Sequence, residues 1–103
     1  LKDVLVTALQ ALTPHIAQAF VFGSMAKGTA GPQSDVDLMI IGDVSFGQVI
    51  NAVYDAQTSL AREINPKVMT RQEWSDKKEA HNTFVQELMD KPKLFIIGSE
   101  HEL

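Results

Sequence analysis

VFGSMAKGTAGPQSDVDLMII, residues 21–41, is the stretch of sequence that decides the fold. It begins at the end of a short apolar and aromatic run, 17–22, which is typical of a buried strand ending at Gly23. Residues 23–34 contain three of the six glycines and one of the four prolines, which predicts a turn of helix followed by an irregular loop. Residues 35–42 alternate at first and are then continuously apolar, so they predict a second strand with one polar end.

Periodicity and capping signatures predict the elements on both sides of this stretch. Apolar residues three and four apart indicate an amphipathic helix near the start, and Ser45 and Thr70 open capping-box signatures. The predicted helices cover 2–12, 46–61 and 71–89, the last broken near His81–Asn82, and the further strands cover 62–70 and 93–98. Phe46 is predicted on the inner face of its helix. Pro66 favours an edge position or a bulge for its strand because it cannot donate to a ladder. The order predicts an α/β (α+β) domain with a small mixed sheet flanked by helices.

Composition limits the classes of protein to consider. The 103 residues predict one small domain, 1–103, with 45% apolar and 21% charged residues, as in soluble globular proteins. A net charge of −4 argues against direct binding of nucleic acid by this segment, and the lack of cysteine excludes thiolate chemistry. The sequence contains neither a signal peptide nor a membrane-spanning run, which favours a cytoplasmic location. Leu1 in place of a methionine predicts that the chain comes from a longer protein.

The stretch 21–41 also suggests chemistry. A strand that leads into Gly23-Ser24 at the start of a helix offers free backbone N–H groups to a phosphate. Asp35 and Asp37 project from the same strand face with Cα atoms about 7 Å apart, so both could bind one divalent cation. Mg²⁺ prefers such oxygen ligands and is usually shared with substrate phosphates. Together the loop and the carboxylates predict a site for a metal-bound nucleoside triphosphate.

Taken one at a time, these residues have simpler explanations. Gly23-Ser24 alone is usually a strand-to-helix turn, and an aspartate pair alone can be a solvated strand start. Lys27 could neutralise a phosphate, although a surface lysine is the more ordinary interpretation. Ser34 could cap or orient the loop before Asp35. The combination of glycine loop and carboxylate pair favours function over these explanations.

These motifs resemble a known family. Gly23-Ser24, Lys27-Gly28 and the run Ser34–Leu38 are similar to the Gly-Ser and Asp-x-Asp signature of the DNA polymerase β-like nucleotidyltransferase superfamily, in its minimal bacterial and archaeal branch. Residues 44–53, 62–70 and 91–98 resemble the nucleotidyltransferase domain that follows a winged-helix DNA-binding domain in transcriptional regulators. The resemblance covers nearly the whole chain and implies a nucleotidyltransferase-like fold.

The resemblance also implies an activity and a set of site residues. The activity is transfer of a nucleoside monophosphate from an NTP, with ATP the first choice, to an unidentified acceptor hydroxyl in the presence of Mg²⁺. Gly23 and Ser24, with Lys27 and Ser34, would bind the nucleotide. The metal would be held by Asp35 and Asp37. The family's third carboxylate falls on Asn65, a further metal ligand, and Glu63 lies two residues earlier on the same strand face and could take the catalytic role.

Other functions remain open at the level of sequence. One is a catalytically weak nucleotide sensor attached to an N-terminal winged-helix DNA-binding domain in the parent protein, which an amide at Asn65 would favour. Another is an antitoxin-like partner of a small helical protein. The acceptor could be a protein side chain, a small molecule or an RNA end.

Overall fold

The fold is built on a four-stranded mixed sheet in a computed structural model that describes residues 1–103. The strands are β1 (Ile16–Phe22), β2 (Val36–Gly42), β3 (Ile64–Met69) and β4 (Leu94–Ile97). The α-helices are α1 (Lys2–Leu9), α2 (Ser24–Lys27), α3 (Phe46–Val53), α4 (Ala56–Leu60), α5 (Arg71–Glu79) and α6 (Thr83–Asp90), and two 3-10 helices cover Gln10–His15 and Glu100–Glu102. The α/β character and mixed sheet predicted from the sequence are confirmed.

The sheet order is β3-β2-β1-β4, with β1 antiparallel to both β2 and β4 and with β2 parallel to β3. The end of β1 therefore lies beside the start of β2, which lies beside the start of β3. As predicted from Pro66, β3 is an edge strand. This topology brings the glycine loop after β1 and the polar starts of β2 and β3 to one end of the sheet.

Helices cover both faces of the sheet because the strand side chains alternate between two apolar clusters. Val36, Leu38 and Ile40 of β2 belong to a cluster of 12 buried residues shared with α1, α3 and α4. Met39 and Ile41, on the opposite face, belong to a cluster of 6 buried residues shared with α5 and α6. Asp35 and Asp37 precede these two in the same alternation, so the aspartates lie at the end of the α5–α6 face.

The second cluster contains aromatic side chains. Phe20 of β1 is fully buried, with its ring centroid 6.4 Å from that of Trp74 and 5.2 Å from that of Phe95. Trp74, 5% exposed, thus packs α5 onto the sheet. These contacts, and the burial of Val85 and Leu88 in the same cluster, place α5 and α6 on the face that includes the aspartates.

Several predicted boundaries change. The helix expected over 46–61 is divided by a turn at Tyr54–Asp55 into α3 and α4, and the helix expected over 2–12 ends at Leu9 and continues as a 3-10 helix. Phe46, predicted to face the core, is 55% exposed. It occupies the first position of α3, and burial of that helix face begins only one turn later, at Val49. Apolar spacing alone therefore predicts one continuous helix where the chain turns between two shorter ones.

Both predicted capping boxes are present. The Thr70 hydroxyl accepts from the Glu73 N–H at 3.0 Å, and the Glu73 carboxylate accepts from the Thr70 N–H at 3.0 Å. Ser45 and Gln48 make the same reciprocal pair at the start of α3. None of the helices combines the length and the apolar character needed to span a bilayer.

We expect Thr70→Ala to lower the free energy of unfolding by about 1 kcal/mol, because it removes one helix N-terminal hydrogen bond. Urea denaturation followed by circular dichroism measures the change. Thr58→Ala is the matched control, since Thr58 is an exposed residue within α4 and caps no helix. Equal effects of the two substitutions would contradict the importance of the capping box.

Candidate functional site

The site begins at a turn that requires glycine. Gly23, between β1 and α2, has φ 70° and ψ −152°, a combination that residues with a side chain avoid. A Cβ atom placed on Gly23 would overlap the carboxylate of Asp37. The absence of a side chain at position 23 therefore lets the backbone before α2 approach an aspartate of the next strand.

The strand register places the polar residues in a row across the sheet. Phe22 of β1 is paired with Asp37 of β2, and Asp37 is in turn paired with Asn65 of β3. The Asn65 side-chain amide donates a hydrogen bond to Asp35 Oδ2 at 2.9 Å. Gly23, Asp35, Asp37 and Asn65, which the sequence proposed as separate parts of one site, thus lie together at one end of the sheet.

The charges at this site are unbalanced. Burial is the main cause that raises the pKa of Asp37 above 3.8, and the neighbouring charge of Asp35 raises it further. Lys67 acts in the opposite sense and lowers the Asp37 pKa. Two carboxylates held side by side, one of them partly desolvated, form a site whose free energy would fall on binding a cation.

The oxygen donors of Asp35, Asp37 and Asn65 suit Mg²⁺, which accepts carboxylate and amide ligands. No group of three or more His, Cys, Asp or Glu side chains in the structure is arranged to hold a metal ion. Glu63, which the sequence offered as a third carboxylate, therefore does not complete a cluster with the two aspartates. It lies just before β3, on the other side of Asp35 from Gly23.

Three other predicted residues take separate places. The Ser34 hydroxyl accepts the Gly31 N–H at 2.9 Å, so it closes the loop before β2. Lys27, exposed at the end of α2, lines with Gly23 a small cavity of about 120 Å³ between α2 and α6. Ser24 is the first residue of α2. The structure thus places Ser24 directly after Gly23, leaves Lys27 at the margin and uses Ser34 within the loop.

Two basic residues of the site were missed from the sequence. Arg62 Nη1 donates to the carbonyl oxygens of Gly31 at 2.9 Å and Ser34 at 2.7 Å, which fixes the loop that precedes Asp35. Lys67 lies with its Nζ 5.5 Å from the ring centroid of Phe84 and is the cation that acts on Asp37. Extending the alternation of Glu63 and Asn65 by two more positions would have found Lys67.

The largest cavity, about 510 Å³, lies elsewhere, between α1 and the α3–α4 region. Its lining includes Asp3 and Asp55 but none of the glycine loop or the Asp35–Asp37 pair. Cavity size alone therefore does not identify the candidate site. The candidate site is identified instead by the glycine turn, the aspartates and Asn65, which lie together at one end of the sheet.

Similar solved structures have this fold. A toxin–antitoxin crystal structure with AMP-PNP aligns with a TM-score of 0.70 and 14% identity, over 98% of this chain and 76% of that chain. A mutant of the toxin–antitoxin pair MntA–HpeT aligns with a TM-score of 0.71 and 12% identity, over 99% and 77%. The tri-AMPylated HEPN toxin of Shewanella oneidensis in complex with an MNT antitoxin gives a TM-score of 0.62 and 11% identity, over 98% and 72%. At these identities the likeness establishes the fold alone.

Sequence comparison is more specific. A protein of Methanocaldococcus jannaschii, named as a candidate protein adenylyltransferase, is 33% identical over 65 residues. The match covers 50% of this chain and 65% of that relative, slightly less than two thirds of its length. The model of the nucleotidyltransferase domain family matches residues 2–99, almost the entire chain. The chain therefore belongs to the nucleotidyltransferase domain family.

Proposed function

We propose that this domain binds an NTP together with Mg²⁺ and transfers its nucleoside monophosphate to an acceptor hydroxyl. The observation that carries the proposal is the Asp35–Asp37 pair placed beside the Gly23 turn in a nucleotidyltransferase domain. ATP is the first choice of nucleotide, supported by the name of the Methanocaldococcus jannaschii relative.

Each part of the site has a separate task in this proposal. The backbone at Gly23 and Ser24 binds phosphate oxygens, since the first N–H groups of a helix lack partners within it. Asp35 and Asp37 hold the metal, and Asn65 orients Asp35 through its 2.9 Å hydrogen bond. Bound Mg²⁺ would neutralise triphosphate charge and stabilise the leaving pyrophosphate.

The reaction itself requires mainly positioning. The acceptor oxygen forms a bond to the α-phosphorus, the bond from that phosphorus to the bridging oxygen breaks, and pyrophosphate leaves. The hydroxyl proton passes to water. An amide at Asn65 cannot accept that proton effectively at neutral pH. Residue 65 therefore cannot serve as a general base for the acceptor hydroxyl.

A second candidate function is supported by the same residue. The family resemblance implies a third carboxylate at the position of Asn65, and no third acidic group joins Asp35 and Asp37. The domain could therefore bind a nucleotide with very slow turnover and act as a sensor. Solved structures of similar fold include toxin–antitoxin complexes, which makes a protein partner a further candidate. Measurement of turnover separates the enzyme from the sensor.

The double variant Asp35→Asn/Asp37→Asn is expected to weaken Mg²⁺-dependent ATP binding by at least about tenfold, because it removes both anionic metal ligands. Calorimetric titration of Mg²⁺-ATP measures the affinity, and incubation with α-labelled ATP then measures label transfer. Asp76→Asn is the control, since Asp76 is an exposed carboxylate on α5. Equal affinities for wild type and the double variant would refute the site. Binding without label transfer would favour the sensor.

The raised pKa of Asp37 predicts a pH dependence. The folded state takes up the Asp37 proton at a higher pH than the unfolded state does, so this group makes the metal-free domain less stable as pH rises through its folded pKa. Asp37→Asn should therefore raise Tm relative to wild type at neutral pH. The difference should shrink as pH falls through the folded pKa of Asp37 and be lost below pH 3.8, where both folded and unfolded wild type bind the proton. Thermal melts across pH without metal test this, and a constant difference at every pH would contradict it.

Asn65→Asp should add the missing carboxylate next to Asp35 and Asp37. We expect Mg²⁺ affinity to rise by roughly tenfold and the metal-free domain to become less stable, because three like charges then adjoin. Calorimetry with Mg²⁺ and thermal melts with and without the metal report both effects. Asn51→Asp, on the exposed side of α3, is the matched control. Unchanged metal affinity in Asn65→Asp would place residue 65 outside the metal site.

A further inference from the structure

A separate cavity of about 270 Å³ lies at the end of the sheet opposite the aspartates. Gln18 and Ile41, which are paired between β1 and β2, line it together with one side of α5 and residues 102–103. Strand β1 continues from Gln18 to Phe22, the residue before Gly23, over roughly 13 Å by strand rise. The cavity is therefore on the α5–α6 face but separate from the candidate nucleotide site.

Trp74 lines this cavity and carries an unpaired donor. The residue is 5% exposed, and its indole Nε1–H is the only enclosed polar side-chain group in the structure that has no hydrogen-bond partner. Most buried polar groups in proteins are paired, because a donor removed from water without an acceptor destabilises the folded state. An acceptor atom supplied by a ligand in the cavity would remove that cost at Trp74.

Gln18 is a second buried polar residue of the wall. It is 7% exposed, and its Oε1 accepts the N–H of Ser99 at 3.0 Å, which fixes the side-chain amide. The other end of the amide, Nε2, carries two N–H donors and makes no hydrogen bond to the protein. The wall thus contains unused donors on two side chains that are each more than nine-tenths buried.

Arg71 adds a positive charge to the same wall. Its side chain is exposed, and its guanidinium makes neither a hydrogen bond nor an ion pair in the structure. Lys78, the other cation of the wall, donates from Nζ to the backbone oxygen of Leu103, and Glu102 accepts the Ser99 hydroxyl at 3.0 Å. The cationic side chain that remains available to a ligand is therefore Arg71.

Apolar side chains complete the wall. Four of the nine lining residues are hydrophobic, among them Ile41 and Leu103. An inorganic anion would leave this apolar surface uncovered, and a neutral hydrocarbon would leave Trp74 and Gln18 unpaired. A carboxylate offers two acceptor oxygens and a negative charge, and an apolar body attached to it would cover the rest of the wall.

We propose that this cavity binds a small carboxylic acid with an apolar body. The carboxylate accepts hydrogen bonds from Trp74 Nε1 and Gln18 Nε2 and pairs with Arg71. The inference does not depend on nucleotidyl transfer, because the cavity shares no residue with the Gly23 turn or the aspartates.

The test uses the only tryptophan of the 103-residue chain, whose indole N–H gives a single NMR signal. Two acids, benzoate and isovalerate, are titrated into the isotope-labelled domain and compared with benzamide and isovaleramide, which have the same shapes but no charge. We expect at least one acid to move the indole signal downfield, to shift the signals of residues 17–18 and 71–78, and to bind about fivefold tighter than its amide.

Two variants test the assigned donors. Arg71→Gln should abolish the preference for the acid without disturbing the core, since Arg71 is exposed, and Lys2→Gln, which removes an exposed charge on α1, should retain it. Trp74→Phe keeps an aromatic ring but lacks the N–H, and should weaken acid binding about fivefold as followed by the backbone signals.

Three results would overturn the inference. The first is an indole signal that neither acid moves, and the second is equal affinity for acid and amide in both pairs. The third is a preference for the acid that Arg71→Gln and Lys2→Gln affect equally.

Discussion

The antiparallel pairing of β1 with β2 is the constraint on which the site depends. Because Phe22 is paired with Asp37, the chain leaves β1 at Gly23 directly against the Asp37 carboxylate. The residues between β1 and β2 therefore connect neighbouring ends of the two strands. A short helix, α2, and a loop closed by Ser34 provide that connection. The parallel strand β3 adds Asn65 in register with Asp37 and completes the row.

Local electrostatics oppose this arrangement and packing maintains it. The α5–α6 face buries Phe20, Met39 and Trp74 behind the aspartates, and this apolar burial stabilises the sheet end that brings the charges together. The Asn65 amide and Lys67 relieve part of the repulsion, one by a hydrogen bond to Asp35 and the other by its positive charge near Asp37. Like charges that are held together at a cost in stability are typical of functional sites.

Much of this arrangement could be predicted from the sequence because its signals are local. The glycine loop, the alternation of Asp35 and Asp37 and both capping boxes depend on residues within a few positions of each other. Other features depend on residues far apart in the sequence. Asp37 pairs with Asn65, and Arg62 binds Gly31, over about thirty positions in each case. No local pattern specifies these contacts or the sheet order. The division of α3 from α4 was missed because apolar spacing continues across the turn.

The edge position of β3 has an evolutionary consequence. Asn65 and Glu63 are exposed and lie outside both apolar clusters, so replacing either changes little of the packing that determines the fold. The codons for asparagine and aspartate differ by one nucleotide. Descendants of one gene could therefore gain or lose the third carboxylate without passing through an unfolded intermediate sequence. Enzymes and non-catalytic binding proteins on this scaffold would then be separated by a short mutational distance.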